Sequence, residues 1–199
     1  GLMLGEITDK TPFDGYTDKD KTEKAIFRDV FKKGDAWFNT GDMMRDIGFR
    51  HAQFVDRLGD TFRWKGENVS TTEVEQILDG FEQIVESVVY GVEIPGTNGR
   101  AGMAELRLDR PHEEVDWPAL SSYLKRELPP YAIPVFLRIT DHGVETTGTF
   151  KHQKNKLKEE KYDLNQHNDP VYVLLPGESC YQRLTPEMQA DIDGNKHRF

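Results

Sequence analysis

Cysteine is all but missing from this chain of 199 residues: Cys180 stands alone, so neither an intramolecular disulfide nor a multi-cysteine metal site can form. A single thiol fits a reducing compartment. No run of apolar residues reaches membrane-spanning length, and the opening GLMLGEITDK lacks the charged-then-apolar order of a signal peptide. Basic excess is absent as well. A net charge of −9 withholds the basic face that general binding to nucleic acid or an anionic membrane needs. The six histidines (His51, His112, His142, His152, His167 and His197) fall at no metal-ligand spacing and read as ordinary polar side chains, so no metal site is expected. There is no internal repeat and no low-complexity segment. What remains is a chain with 36% hydrophobic residues and 11% aromatics, enough for a packed core, under a highly charged surface. Its length suits one domain, or a small domain and a piece of another. The apolar LMLGEI at the very start reads as a strand without a preceding partner, as in an excised segment.

Periodicity divides the chain in two. Residues 2–7 read as a strand, Ile26, Phe27, Val30 and Phe31 sit at helical spacing, and 36–40 and 51–55 pair as a hairpin turning at Asp46-Ile-Gly48. Past residue 60 the pattern becomes regular. A short strand covers 61–65, and Ser70-Thr-Thr-Glu73 forms a capping box before the apolar side of a helix ending near Gly80. Strands follow at 84–92, 103–108 and 135–139. Between the last two lies an amphipathic helix over 116–128 that the pair Pro129-Pro130 stops. A basic helix spans 150–161; the tail adds a strand at 171–175 and a helix over TPEMQADI. This order predicts a small α+β domain, three main strands covered by helices.

Four places carry chemistry. Asp42, in Asn39-Thr-Gly-Asp, is read in a tight turn at a strand end, where a carboxylate can accept two hydrogen bonds from a diol or merely hold its own loop. Gly59, just after Arg57, can absorb a large backbone change. Gly66, in Trp64-Lys-Gly-Glu-Asn68, lets a ligand approach the backbone. Glu73 is a helix cap rather than an acid–base partner of Glu67. Lys151 opens a helix after a Gly-Thr turn, where the helix dipole disfavours a cation, and a cation kept there points to a functional demand. Lys156, Lys158 and Lys161 read as a solvated face, and Lys154 is the competing choice. Cys180 reads as passive.

The unbroken stretch WFNTGDMMRDIGFRHAQFVDRLGDTFRWKGENVSTTEVEQIL, residues 37–78, resembles the hinge region of adenylate-forming enzymes. FDGY, GRAGMA, LPPYAIP, TGTFKHQK and the tail VYVLL…YQRLTPEM extend the likeness over nearly the whole chain. The branch it resembles is that of very-long-chain and long-chain acyl-CoA synthetases of the fatty acid transport protein type. The resemblance implies that residues 1–57 are the β-rich tail of a large adenylating domain and 58–199 a small lid domain with its hinge, Gly59 or Asp60, at the start. It implies that Asp42 and Arg57 hold the nucleotide, that Gly66, Glu67 and Asn68 face the CoA pantetheine, and that Lys151 stabilises charge as the adenylate forms. ATP, Mg2+, CoA and a long-chain fatty acid are the implied ligands, and the missing N-terminal adenylating domain the implied partner. Because no Ser/Thr/Gly-rich phosphate loop occurs here, the chain alone is expected to be inactive. The family also implies a cytoplasmic setting with peripheral membrane association, for which this segment gives no support. A bile-acid or aryl-CoA ligase of the same superfamily, or a detached non-catalytic lid, are the rival readings.

Overall fold

The computed structural model describes residues 1–15, 19–57, 61–141 and 150–199, without the side chains of 21, 55–57, 150–153 and 155. The chain divides into two compact units, 1–59 and 60–199, each described here by itself. The hinge pair Gly59 and Asp60 lies outside the described residues.

The first unit is built on one long strand. β1 (Leu2–Glu6), α1 (Lys19–Lys24) and β2 (Ile26–Arg28) precede β3 (Ala36–Gly48), and β4 (His51–Arg57) follows it. Every partner of β3 is antiparallel: β2 pairs with Ala36–Phe38, β4 with Asp42–Gly48, and β1 with residues from Trp37 to Met43. The helix expected over 26–31 is not formed. Ile26, Phe27 and Arg28 are a strand, and the helix lies earlier, in the charged stretch Lys19–Lys24. Asp35 explains why the helical spacing of Val30 and Phe31 is not used. Its buried carboxylate accepts from the amides of Val30, Phe31 and Lys32 at 2.7, 3.0 and 3.0 Å and folds the segment into a loop. The hairpin turn falls on Phe49-Arg50 rather than on Asp46–Gly48.

Burial opposes charge on Asp35, but the hydrogen bonds outweigh it and bring its carboxyl from 3.8 to about 2. A folded pKa below the unfolded value contributes stability that is present above roughly pH 4 and lost as pH falls towards 2. Asp35→Asn is therefore expected to lower the melting temperature at pH 5 and to narrow its gap from the parent by pH 2. Thermal melts across that range check this.

The second unit centres on a five-stranded sheet. A two-stranded hairpin, β5 (Phe62–Trp64) and β6 (Glu67–Val69), leads into α2 (Thr71–Asp79). Ser70 caps that helix, its hydroxyl accepting from the Glu73 amide, and Gly80 ends it. Then come β7 (Ile84–Val92), β8 (Ala101–Leu108), α3 (Trp117–Glu127) and β9 (Phe136–Ile139). The Asp116 carboxylate caps α3, and the chain leaves the helix at Leu128, before Pro129-Pro130. α4 (Phe150–Glu160), β10 (Val171–Val173), β11 (Gln182–Arg183) and α5 (Pro186–Asp193) complete the chain.

The sheet order is β11-β10-β9-β8-β7, so the three expected strands are extended at one edge by two from the tail. β8 and β9 are parallel, with α3 as the crossover that a parallel pair requires, and the other pairs are antiparallel. Leu78 of α2 and Leu120 and Leu124 of α3 are fully buried, as are Val89, Met103 and Phe136 of the sheet. The tail strand is held by stacking of Tyr172 on Trp117, ring centroids 3.8 Å apart.

Candidate functional site

In the first unit, Asn39-Thr-Gly-Asp42 is not a strand-end turn. It is an irregular stretch inside β3, between the part paired to β2 and the part paired to β4. The Asn39 side-chain oxygen accepts from the Gly41 amide at 2.9 Å, and Thr40 Oγ1 accepts from the Asp42 amide at 3.1 Å. Thr40 also donates to the Met3 carbonyl at 2.9 Å, tying the irregularity to β1. The short polar side chains thus shape the backbone that presents Asp42. In register, Asp42 lies directly opposite Arg57 across the β3–β4 pair. Two residues fifteen apart in sequence are brought together by a hairpin.

In the second unit, Lys65 and Gly66 form the two-residue turn of the β5–β6 hairpin, with φ of 51° and 86°. Two successive left-handed residues are what a tight hairpin turn of this kind requires, and glycine takes the second at no steric cost. Lys65, Gly66, Glu67 and Asn68 are all exposed, and a Cβ at Gly66 would meet nothing within 4 Å. The tip is open space over a fixed base. Arg63 Nε donates to the Gly66 carbonyl at 3.2 Å, and Trp64 beneath it is buried. The base docks on GRAGMA: the Arg100 amide donates to the Arg63 carbonyl at 2.7 Å, and a Cβ on Gly99 would come within 2.3 Å of that oxygen. Gly99 is there for close approach. Beside the hairpin lies a cavity of about 470 Å³, lined by Trp64, Lys65, Thr97, His197 and Arg198 among others. The tail residues of that lining were not anticipated, because sequence distance hides them.

α4 starts at Phe150, so Lys151 occupies its first turn, as expected; the Lys151 side chain lies outside the described residues. Lys154, the competing choice, is buried, and its ammonium is 3.3 Å from Glu75 Oε1 of α2. The same oxygen accepts the Val89 amide of β7 at 2.8 Å. Lys154 is thereby engaged in joining helix to helix.

A second buried ionic group, unforeseen from the sequence, holds the other end of α4. Arg138, on β9, donates from Nη1 to Glu160 Oε2 at 2.6 Å and from Nε to Asp169 Oδ2 at 2.7 Å. Burial works against its charge, but the two carboxylates raise its pKa overall. Glu105 is its register neighbour on β8; burial raises that carboxyl, with Arg138 acting the other way. The one signal available in the sequence was an arginine inside the otherwise apolar strand FLRI. Among the described residues no cluster of three His, Cys, Asp or Glu side chains could hold a metal ion. Among those residues, too, no helix is long and apolar enough to cross a membrane.

A capped helix, a three-stranded centre with a parallel pair, and a lysine-bearing helix make a small α+β unit whose residues 73–151 match the AMP-binding enzyme C-terminal domain. The chain corresponds to the C-terminal part of adenylate-forming enzymes. Within them its similarity is to long-chain fatty acid transport proteins and fatty-acid–CoA ligases. It is 49% identical, over 91% of its length, to medium/long-chain-fatty-acid–CoA ligase FadD6 of Mycobacterium tuberculosis. It is 45% identical, over 96% of its length, to long-chain fatty acid transport protein 6 of Mus musculus. The chain spans 30% and 31% of those two proteins. Among solved structures, o-succinylbenzoate CoA synthetase of Bacillus subtilis in complex with its acyl-adenylate superposes with a TM-score of 0.54 at 27% identity. That match covers 70% of this chain and 27% of the other.

Proposed function

We propose that this chain supplies the lid, and the end of the nucleotide-binding domain, of an AMP-forming ligase that joins a long-chain fatty acid to CoA. In this reading residues 1–57 close the large adenylating domain, and 58–199 form the lid. The fatty-acid carboxylate attacks the α-phosphorus of ATP, the bond to the β-phosphate oxygen breaks, and pyrophosphate leaves. The CoA thiol then attacks the acyl carbon of the adenylate, losing its proton, and AMP departs.

The observation that carries this reading is the register that sets Asp42 directly opposite Arg57 in the first unit. Asp42, opposite Arg57, can accept from the two ribose hydroxyls. In this reading the second unit works through two faces, the exposed Lys65–Asn68 hairpin and the first turn of α4. Lys151 serves the first step, lowering the cost of charge on the α-phosphate and acyl carboxylate. Gly66, Glu67 and Asn68 serve the second, where an exposed tip without a side chain at Gly66 leaves room for a slender pantetheine arm. A torsion at Gly59 or Asp60 exchanges the two faces. Magnesium supplies charge neutralisation on the ATP phosphates when bound. The acyl pocket and the remaining phosphate contacts belong to the missing N-terminal domain.

The test is acyl-CoA formation from ATP, magnesium, CoA and fatty acids of several lengths. The longer polypeptide that carries this segment is expected to make product. The 199-residue chain alone, checked for folding by circular dichroism, is expected to make none. Product from the chain alone would overturn the assignment of the acyl pocket to a missing domain.

A further inference from the structure

Three residues of α4 face inward along one stripe: Lys154, Leu157 and Glu160. At about 100° per residue, Lys154 and Glu160 lie roughly 60° to either side of Leu157 around the helix axis. Leu157 is buried in the core of the second unit. Lys154 is tied to Glu75 of α2, and Glu160 to Arg138 of β9. The side chains of Lys154 and Arg138 are 9% and 8% exposed, so both links are shielded from water.

Apolar contact at Leu157 alone leaves a helix able to roll, because hydrophobic packing is non-directional. A charged hydrogen bond on each flank removes that freedom, since rolling either way stretches one of them. The anchors are themselves fixed. Glu75 is held by the β7 backbone through the Val89 amide, and Arg138 is also held by Asp169 just ahead of β10. The clamp therefore references α4 to α2, to the centre of the sheet and to the tail.

We infer that the Lys154–Glu75 and Arg138–Glu160 pairs together set the roll of α4, and through it the bearing of the first helical turn, on which Lys151 lies. Lys154 and Arg138 are then positioning residues, and the inference rests on the role proposed above for Lys151. It predicts an effect confined to one half-reaction. Adenylation, which uses Lys151, depends on the roll of α4, whereas thioester formation, which uses the hairpin face, does not.

The test uses the longer polypeptide and compares ATP–pyrophosphate exchange with conversion of supplied acyl-adenylate and CoA to acyl-CoA, on the same sample. Their ratio is independent of the fraction of protein that is folded. The double variant Lys154→Met with Glu75→Gln removes the charge link while leaving an acceptor for the Val89 amide. Its ratio is expected to fall about tenfold, the scale of a displacement well under an ångström at a reacting centre. Lys154→Arg, which keeps a cation against Glu75, is expected to stay within about threefold of the parent. A fall of less than about fivefold in the double variant, or an equal fall with arginine, overturns the inference. Lys151→Ala is run alongside. If it leaves the exchange rate unchanged, the underlying assignment of Lys151 fails, an outcome separate from failure of the clamp.

Discussion

Lys151→Ala, introduced into the longer polypeptide, is expected to lower ATP–pyrophosphate exchange by about 10²–10³-fold, the loss usual for one preorganised charge-stabilising group. Conversion of preformed acyl-adenylate with CoA should stay within about threefold of the parent, because the proposed role gives the cation no part in that step. The asymmetry carries the argument. A mutation that merely loosened the lid would slow both steps, since both need a folded second unit. Substitution by Gln, which keeps a polar side chain one bond shorter and loses the charge, should match Ala. Equal loss in the two half-reactions would remove Lys151 from the adenylation step.

Arg138→Met is expected to destabilise the second unit by about 3–5 kcal/mol, the scale for removing one member of a buried ionic group. The size comes from what is left behind. Glu160, with a side chain 13% exposed, would keep only the solvent-exposed Lys156 at 3.5 Å, and Asp169, at 31%, would lie near Glu160 and Glu105 without Arg138 between them. Asp169 is the most accessible of the set and relaxes towards water, which places the expectation at the lower end of the range. Urea titration followed by tryptophan fluorescence measures it. Neutralising the acids together with the arginine, by adding Glu160→Gln and Asp169→Asn, should recover most of the loss. A single variant as stable as the parent would mean that the cluster is solvated rather than buried.

Legibility in the sequence followed the range of the forces involved. The Ser70 cap, β7 over Ile84–Val92, and α3 bounded by Asp116 and Pro129-Pro130 were readable because side chains within four residues determine them. The segment 26–31 was misread as helix because Asp35, outside the window, captures three amides that a helix would have used. The Asn39–Asp42 motif was identified but put at a strand end, since the strand that runs through it is defined by partners far along the chain. β6 was missed because a three-residue strand has no period of its own; only the tight turn at Lys65-Gly66 reveals it. Among candidate site residues, the sequence favours Lys151, with Lys154 as the competing choice. The contact of Lys154 with Glu75, 79 positions away, was out of reach, because no local pattern encodes a contact of that range. Arg138 was overlooked for the same reason.

The parallel pairing of β8 with β9 bears on how the second unit assembles during synthesis. An antiparallel hairpin such as β7–β8 can close as soon as its two strands have left the ribosome. The central parallel pair must wait for the intervening stretch, α3 included, and for residue 139 at the end of β9. Until then one edge of β8 offers unpaired backbone groups to any neighbouring strand. Pro129, Pro130 and Pro134 stiffen the last part of that return path and so reduce the number of ways the nascent chain can bring β9 into place. β10 and β11 then add outward in the order of their emergence, and translation pauses just before residue 139 would expose the open edge longest.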